Sequence, residues 1–128
     1  MATGEKRKRV LIMDDEDMVG EIAIQMLDYL GFDAVHVKDG VTAIDTYREQ
    51  KENGEGFDCV IMDLSIPGGM GGEDAVSEIL AIDQDAKVLV SSGYSTDPVM
   101  INYKDYGFSG VMAKPFDLQD MKKSLESI

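Results

Sequence analysis

Short continuous apolar runs alternate along the chain with longer stretches in which apolar residues recur every three or four positions. Val10-Leu11-Ile12-Met13 is the first run, closed by acids, and this pattern predicts a strand covered on both faces. Val19, Ile22, Ala23, Met26, Leu27 and Leu30 then follow the helical spacing i, i+3, i+4, i+7, i+8, i+11, up to a stop at Gly31. Ala34 to Val37 reads as a second strand, and Val41, Ala43, Ile44 and Tyr47 as the apolar side of a second helix released by Asn53-Gly54-Glu55-Gly56. Phe57 to Met62 predicts the third strand, Leu64 to Gly71 a loop, and Ala75, Val76, Ile79 and Leu80 a third helix. Lys87 to Ser91 is the fourth predicted strand, Pro98 to Tyr106 the fourth helix and Gly110 to Ala113 the fifth strand. Leu118, Met121 and Leu125 form the stripe of a last helix.

Five strand–helix units in a row require parallel pairing through right-handed crossovers, which places helices on both faces of one sheet. The expected class is therefore α/β, a doubly wound five-stranded parallel sheet with five helices. At 128 residues and 44% apolar content the chain has room for one core. No apolar run approaches the roughly 20 residues needed to span a bilayer, so no membrane insertion is expected. Residues 1–8 read as a basic tail and residues 9–128 as the domain. No apolar segment follows the positive charges before Asp14, so a secretory signal is not expected and the cytoplasm is the expected compartment.

Charge narrows the partners. The net charge is −13, yet Lys6, Arg7, Lys8 and Arg9 hold four of the twelve basic residues; from Val10 onward eight basic residues face 24 acidic ones. Such a body repels phosphate backbones, so direct nucleic-acid binding is not expected, whereas metal cations suit it. The basic tail is read as a solvated segment without function. Cys59, the single cysteine, lies in an apolar run and reads as a buried strand thiol, which excludes an internal disulfide.

In a doubly wound sheet the ligand site lies beyond the carboxyl ends of the strands. There the chain carries Asp14, Asp15, Glu16 and Asp17 after strand one, Asp63 after strand three, Ser91 and Ser92 after strand four, and Lys114-Pro115 after strand five. Glu16 and Asp17 are accounted for as acids at a helix N-terminus. Asp14, Asp15 and Asp63 brought together would repel one another unless a cation joined them, and hard, charged oxygen ligands suit Mg²⁺. Lys114 offers a point charge for a tetrahedral anion, Ser92 and the Gly93 amide offer donors, and Asp63 is a carboxylate able to attack phosphorus. Each residue alone has a plain structural explanation, as a cap or a turn. Four separate strand ends supplying acid pair, acid, hydroxyl and lysine together point to phosphoryl chemistry.

This constellation resembles the receiver domain of two-component response regulators, over Arg9 to Ile128. Asp14-Asp15 matches the acidic pair, Asp63 the phosphoacceptor, Ser92 the hydroxyl residue and Lys114-Pro115 the lysine-proline, with a 22-residue step from Ser92 to Lys114 that favours Ser92 over Ser91. The resemblance implies a flavodoxin-like strand order 2-1-3-4-5. It implies Mg²⁺ held by Asp14, Asp15, Asp63 and the Ser65 carbonyl, with Leu64 and Gly93 beside the phosphate and a cis peptide before Pro115. The implied activity is that of a phosphoacceptor, self-phosphorylation and autodephosphorylation only. The implied donor is a phosphohistidine on a sensor histidine kinase, and the implied output is a shifted face of helix 4, strand 5 and helix 5, where a homodimer would also form. The segment Met62 to Gly72 with Ser91-Ser92-Gly93-Tyr94-Ser95 is most similar to receivers at the carboxyl end of hybrid histidine kinases, which would put the donor in the same polypeptide. His36 reads as a structural histidine, and the glycines beside Asp63 lack the G-x-G-x-x-G register and a P-loop lysine.

Two departures are expected to matter. Val111 stands three positions before Lys114, where many family members couple the switch to an aromatic residue. Tyr94, two residues after Ser92, is expected to shield an acyl phosphate from water. A Mg²⁺-dependent phosphohydrolase with an aspartyl nucleophile is the alternative, but it requires a second acid two residues after the nucleophile, where Ser65 stands. An unphosphorylated receiver-like adaptor is a third reading.

Overall fold

The computed structural model describes residues 7–126, so most of the predicted basic tail, residues 1–6, lies outside the described residues, as do residues 127–128. Five parallel strands, β1 (Arg9–Met13), β2 (Asp33–Val37), β3 (Cys59–Asp63), β4 (Val88–Ser92) and β5 (Gly110–Ala113), form one sheet in the order β2-β1-β3-β4-β5. Between and after them run α1 (Asp17–Tyr29), α2 (Gly40–Glu52), α3 (Gly72–Ile82), α4 (Pro98–Ile101) and α5 (Leu118–Glu126). The doubly wound α/β expectation and its strand order are borne out.

Side-chain alternation along the strands divides the core into two layers. Leu11, Met13, Val60, Met62, Val88 and Val90 pack with Ala43, Ile44 and Tyr47 of α2, Ala75, Val76 and Ile79 of α3, and Val99 and Met100 of α4. On the opposite face Val10, Ile12, Cys59, Ile61, Leu89 and Met112 pack with Ala23 and Leu27 of α1 and Met121 and Leu125 of α5. Cys59 is buried and free, as expected, and burial pushes its thiol up to about 12.

Local chemistry sets the helix ends. Asp39 caps α2 by accepting from the Thr42 amide at 2.8 Å, and that bond first holds its carboxyl below the usual range. Asp117 and Asp120 accept from each other's amides at 2.9 and 3.0 Å, a reciprocal cap on α5. Arg7 departs from the picture of a solvated tail. Its guanidinium donates to the carbonyls of Asp28, Gly31 and Phe32 at 2.9 Å each, tying the segment to the turn between α1 and β2.

The fourth helix is shorter than its pattern predicts. Only Pro98–Ile101 is α-helical; Asn102 leaves the helical basin at φ −108°, ψ 36°, and Tyr103–Tyr106 forms a 3₁₀ turn ended by Gly107 at φ 99°. The tighter turn places residues i and i+3 over one another, which lets Tyr103 and Tyr106 both lie against the core. Three stripe residues are exposed, Ile22 at 45%, Val41 at 55% and Leu118 at 36%.

Candidate functional site

The carboxyl ends of β1, β3, β4 and β5 bring the expected polar residues to one edge. Asp14 follows β1 and is 2% exposed; Asp63 ends β3 and is 8% exposed. One carboxylate oxygen from each of Asp14, Asp15 and Asp63 lies within 4.8 Å of the others. Lys114, just past β5, reaches in from the far side, its Nζ 2.7 Å from Asp14 Oδ2 and 3.2 Å from Asp63 Oδ2. Ser92 is buried at the end of β4, and its Oγ accepts from the Tyr94 amide at 3.1 Å. The Lys114–Pro115 peptide is cis.

The electrostatics follow from burial. Removal from water pushes the Asp63 carboxyl above the usual carboxylate range; the Lys114 ammonium opposes this, while Asp14 and Asp15 add to it. For Lys114 burial favours the neutral amine, but the hydrogen bond with Asp14 and the charges of Asp63 and Asp14 outweigh burial and carry its pKa above the usual value. Lysine therefore remains charged. The remaining donor set is all oxygen and anionic, the chemistry that suits a hard dication such as Mg²⁺.

Two backbone arrangements hold the edge. Gly71 lies so close to the end of β3 that a Cβ there would stand 2.4 Å from the Leu64 carbonyl oxygen, so only glycine lets the loop fold back over the Asp63 strand. The Leu64 amide, expected beside the phosphate, is committed to the Ser91 carbonyl at 2.8 Å. Gly93 is exposed, and Ser65, expected to offer its carbonyl, is exposed on the loop after Asp63.

Sequence reasoning missed how the acidic loop is pinned from β2. The Asp14 amide donates to the Val37 carbonyl at 3.0 Å, and His36 Nε2 donates to the Asp14 carbonyl at 2.8 Å. The imidazole lies directly over Gly20, where a Cβ would come within 2.2 Å of the ring. The signal was present as a lone histidine one residue before the end of a strand, but which strand neighbours β1 is not a local property.

Outside the acidic pocket, Val19, Ile22, Gly93, Lys114, Pro115 and Phe116 line an apolar groove between α1 and the segment after β5. Exposed Met18 and Tyr94, at 72% and 77%, belong to the same segments, just ahead of Val19 and just after Gly93.

Comparisons with known proteins agree with this geometry. The family model described as the response regulator receiver domain matches residues 10–126. The chain is 30% identical over 122 residues to the chemotaxis protein CheY of Thermotoga maritima, covering 94% of this chain and 97% of that protein. Among solved structures it resembles CheY4 of Vibrio cholerae with a TM-score of 0.85 at 21% identity, covering 96% and 99% of the two chains. It also resembles the receiver domain of sensor histidine kinase PA1611 from Pseudomonas aeruginosa, solved with a magnesium ion coordinated in its active-site cleft. That likeness has a TM-score of 0.82 at 22% identity, covering 95% and 97% of the two chains.

Proposed function

The chain belongs to the response regulator receiver domain family, and on that premise we propose that Asp63 accepts a phosphoryl group from a phosphohistidine on a sensor histidine kinase. The acidic cluster of Asp14, Asp15 and Asp63 fits a phosphoacceptor site with Mg²⁺. Mg²⁺ would be held by these three side chains and the Ser65 carbonyl, and when bound it supplies positive charge that offsets the repulsion between carboxylates and phosphoryl oxygens. The carrying observation is Lys114, whose ammonium bridges Asp14 and Asp63 across three strand ends.

In the transfer, an Asp63 carboxylate oxygen forms a bond to phosphorus as the N–P bond breaks, and the electron pair of that bond returns to the imidazole nitrogen. Lys114 keeps Asp63 ionised for this attack and then faces the new phosphoryl oxygens, with the Gly93 amide and the Ser92 hydroxyl as further donors. The Leu64 amide joins them only by leaving the Ser91 carbonyl. The phosphoryl group brings about 1.5 to 2 negative charges while the Asp63 carboxylate gives up its own, a net gain of about 0.5 to 1. Ser92 would exchange the Tyr94 amide for a phosphoryl oxygen, drawing on the loop into α4 and altering the α4–β5–α5 face. Val111, 38% exposed on that face, is too small to follow as an aromatic ring would. The same face is the proposed site of homodimer contact. Direct nucleic-acid binding finds no support in the charge of the body, and no membrane insertion is proposed.

Any donor must reach Asp63 from the open side, so the apolar groove beside Lys114 is the proposed seat of the histidine kinase. The glycine-rich loop after Asp63 and the likeness in fold to a sensor-kinase receiver support a hybrid kinase as the parent protein, working in the cytoplasm. Among the described residues no helix is long and apolar enough to cross a membrane.

Incubation with phosphoramidate and Mg²⁺, followed by acid quenching and intact mass, tests the reading. Stoichiometric label on the natural chain and none on Asp63→Asn supports a phosphoacceptor. Continuous phosphate release from small esters would mark the phosphohydrolase, against which Ser65 already stands in place of the second acid, and no label at all would mark an adaptor.

A further inference from the structure

Asp14 is the point at which β1 parts from its neighbour. Its amide donates to the Val37 carbonyl at 3.0 Å, but β2 ends at Val37, and Asp39 two residues on already caps α2. The Asp14 carbonyl takes its donor from a side chain, His36 Nε2 at 2.8 Å. A carbonyl oxygen only accepts, so the proton of that bond sits on the imidazole. His36 pairs with Ile12 in the ladder and shares its face, the layer under α1, where Gly20 leaves the room that the ring occupies. A Cβ on residue 20 would stand 2.2 to 2.4 Å from three ring atoms.

The carbonyl held in this way belongs to the peptide that joins Asp14 to Asp15. A peptide unit is planar, so fixing the direction of its C=O fixes the plane, and with it ψ of Asp14 and φ of Asp15. The Asp14 side chain is tied down on its own account: Oδ1 accepts from the Glu16 amide at 2.9 Å and Oδ2 meets Lys114 at 2.7 Å. Asp15 has no such ties. It is exposed, and among the described residues no hydrogen bond or ion pair engages its carboxylate. One of its oxygens nevertheless lies within 4.8 Å of those of Asp14 and Asp63. Carboxylates this close repel one another, and an untied side chain would relieve the repulsion by swinging toward water. The backbone on which Asp15 is mounted is what limits that swing.

We propose that His36 is a positioning residue for the Mg²⁺ site: by holding the Asp14–Asp15 peptide it aims the Asp15 carboxylate into the pocket beside Asp14 and Asp63. This role rests on the reading of Asp14, Asp15 and Asp63 as a Mg²⁺ site. The ring is already seated between β2 and Gly20 before any metal arrives, so the geometry of the acidic pair costs no ordering at the moment of binding. Groups one step removed from a metal set its affinity by orienting the ligands that touch it. Here the link runs through one peptide unit instead of directly to a ligand oxygen, which places the effect of losing it at the low end of the usual range, about tenfold.

The test titrates MgCl₂ alone, with no phosphodonor, into the full chain and into His36→Leu, His36→Gln and Gly20→Ala. The dissociation constant is taken from the rise in melting temperature with Mg²⁺ concentration, starting from EDTA. His36→Leu removes the donor and keeps an apolar body, His36→Gln offers an amide N–H at similar reach, and Gly20→Ala displaces the ring without changing its chemistry. The expected result is Mg²⁺ binding about tenfold weaker in His36→Leu, near-natural in His36→Gln and at least about threefold weaker in Gly20→Ala. Natural affinity in either His36→Leu or Gly20→Ala overturns the proposal, even where the melting temperature in EDTA falls, since that is what a merely structural histidine would give. Equal losses in His36→Gln and His36→Leu overturn it as well, because the donated bond would then not be what matters. Should His36→Leu be unfolded in EDTA, His36→Gln against Gly20→Ala decides, and equal affinities in those two overturn it. Mg²⁺ bound by the natural chain with an affinity indifferent to all three variants removes this role and leaves the metal site standing; absence of Mg²⁺ binding by the natural chain removes both.

Discussion

Replacing Lys114 by methionine keeps most of the side-chain volume and removes the charge that holds the acidic edge together. At an effective dielectric of about 20, its separations of 2.7 and 3.2 Å from Asp14 and Asp63 correspond to gross attractions of about 6 and about 5 kcal/mol. Much of this offsets the cost of taking three charged groups out of water, and the lysine side chain remains 21% exposed, so solvent screens the remainder. Breaking a fully buried pair costs roughly 3 to 5 kcal/mol; with screening, Lys114→Met should cost about 2 to 3 kcal/mol in EDTA. For a domain of this size that is a fall in melting temperature of about 8 to 12 °C. Saturating Mg²⁺ should recover more than half of the deficit, because a dication binding only the folded state replaces the lost charge. The deficit should also grow with pH. The Asp63 carboxyl already titrates above its unfolded value, and losing lysine raises it further. A group raised in the folded state contributes stability below its unfolded pKa and loses it as pH rises through the folded one. Thermal unfolding by circular dichroism, with EDTA and with Mg²⁺, at pH 5 and 8, reads all three effects. An unchanged midpoint in EDTA, or equal deficits with and without metal, would refute the electrostatic account.

Tyr47→Phe removes a hydroxyl that donates to Asp83 Oδ2 at 2.9 Å and should cost about 1 kcal/mol at pH 7 by urea titration. The Asp83 carboxyl lies below its usual value, chiefly through this bond, so its contribution is present above the unfolded pKa near 3.9 and lost as pH falls; the variant's deficit should shrink below about pH 4. Ile22→Glu, in the groove beside Lys114, should slow transfer from a phosphohistidine donor at least about tenfold while leaving labelling by phosphoramidate intact; equal losses with both donors would remove the groove from kinase recognition. Tyr94→Ala should shorten the label lifetime, and an unchanged dephosphorylation rate would dismiss the exposed ring as a shield. Cys59, with its thiol pushed up to about 12, should resist iodoacetamide at pH 8 until the chain unfolds, and rapid native-state alkylation would contradict its burial.

Much of the fold was legible because it rests on local periodicity. The four-residue run at Val10 and the helical stripe ending at Leu30 each report burial through spacing, and alternation of such segments leaves one topology class. The strand-end placement of Asp14, Asp15, Asp63, Ser92 and Lys114 followed from the same count, and the likeness to receiver domains followed from their spacing. What failed locally did so for local reasons of another kind. The expected fourth helix broke at Asn102 because a 3₁₀ turn brings Tyr103 and Tyr106 together onto the core, a gain that depends on where that core lies.

Periodicity and spacing by themselves therefore determined the class of sheet, its number of units and the edge that carries the chemistry. Register and lateral order belonged to the tertiary structure, since they depend on which strand lies beside which. Only there does His36 meet the Asp14 carbonyl, Arg7 meet the end of α1, and Ser91 stand beside Asp63 in the ladder. Each of these joins residues distant in the chain, and hydrogen bonding and charge act over a few ångströms of space, which no spacing along the backbone specifies.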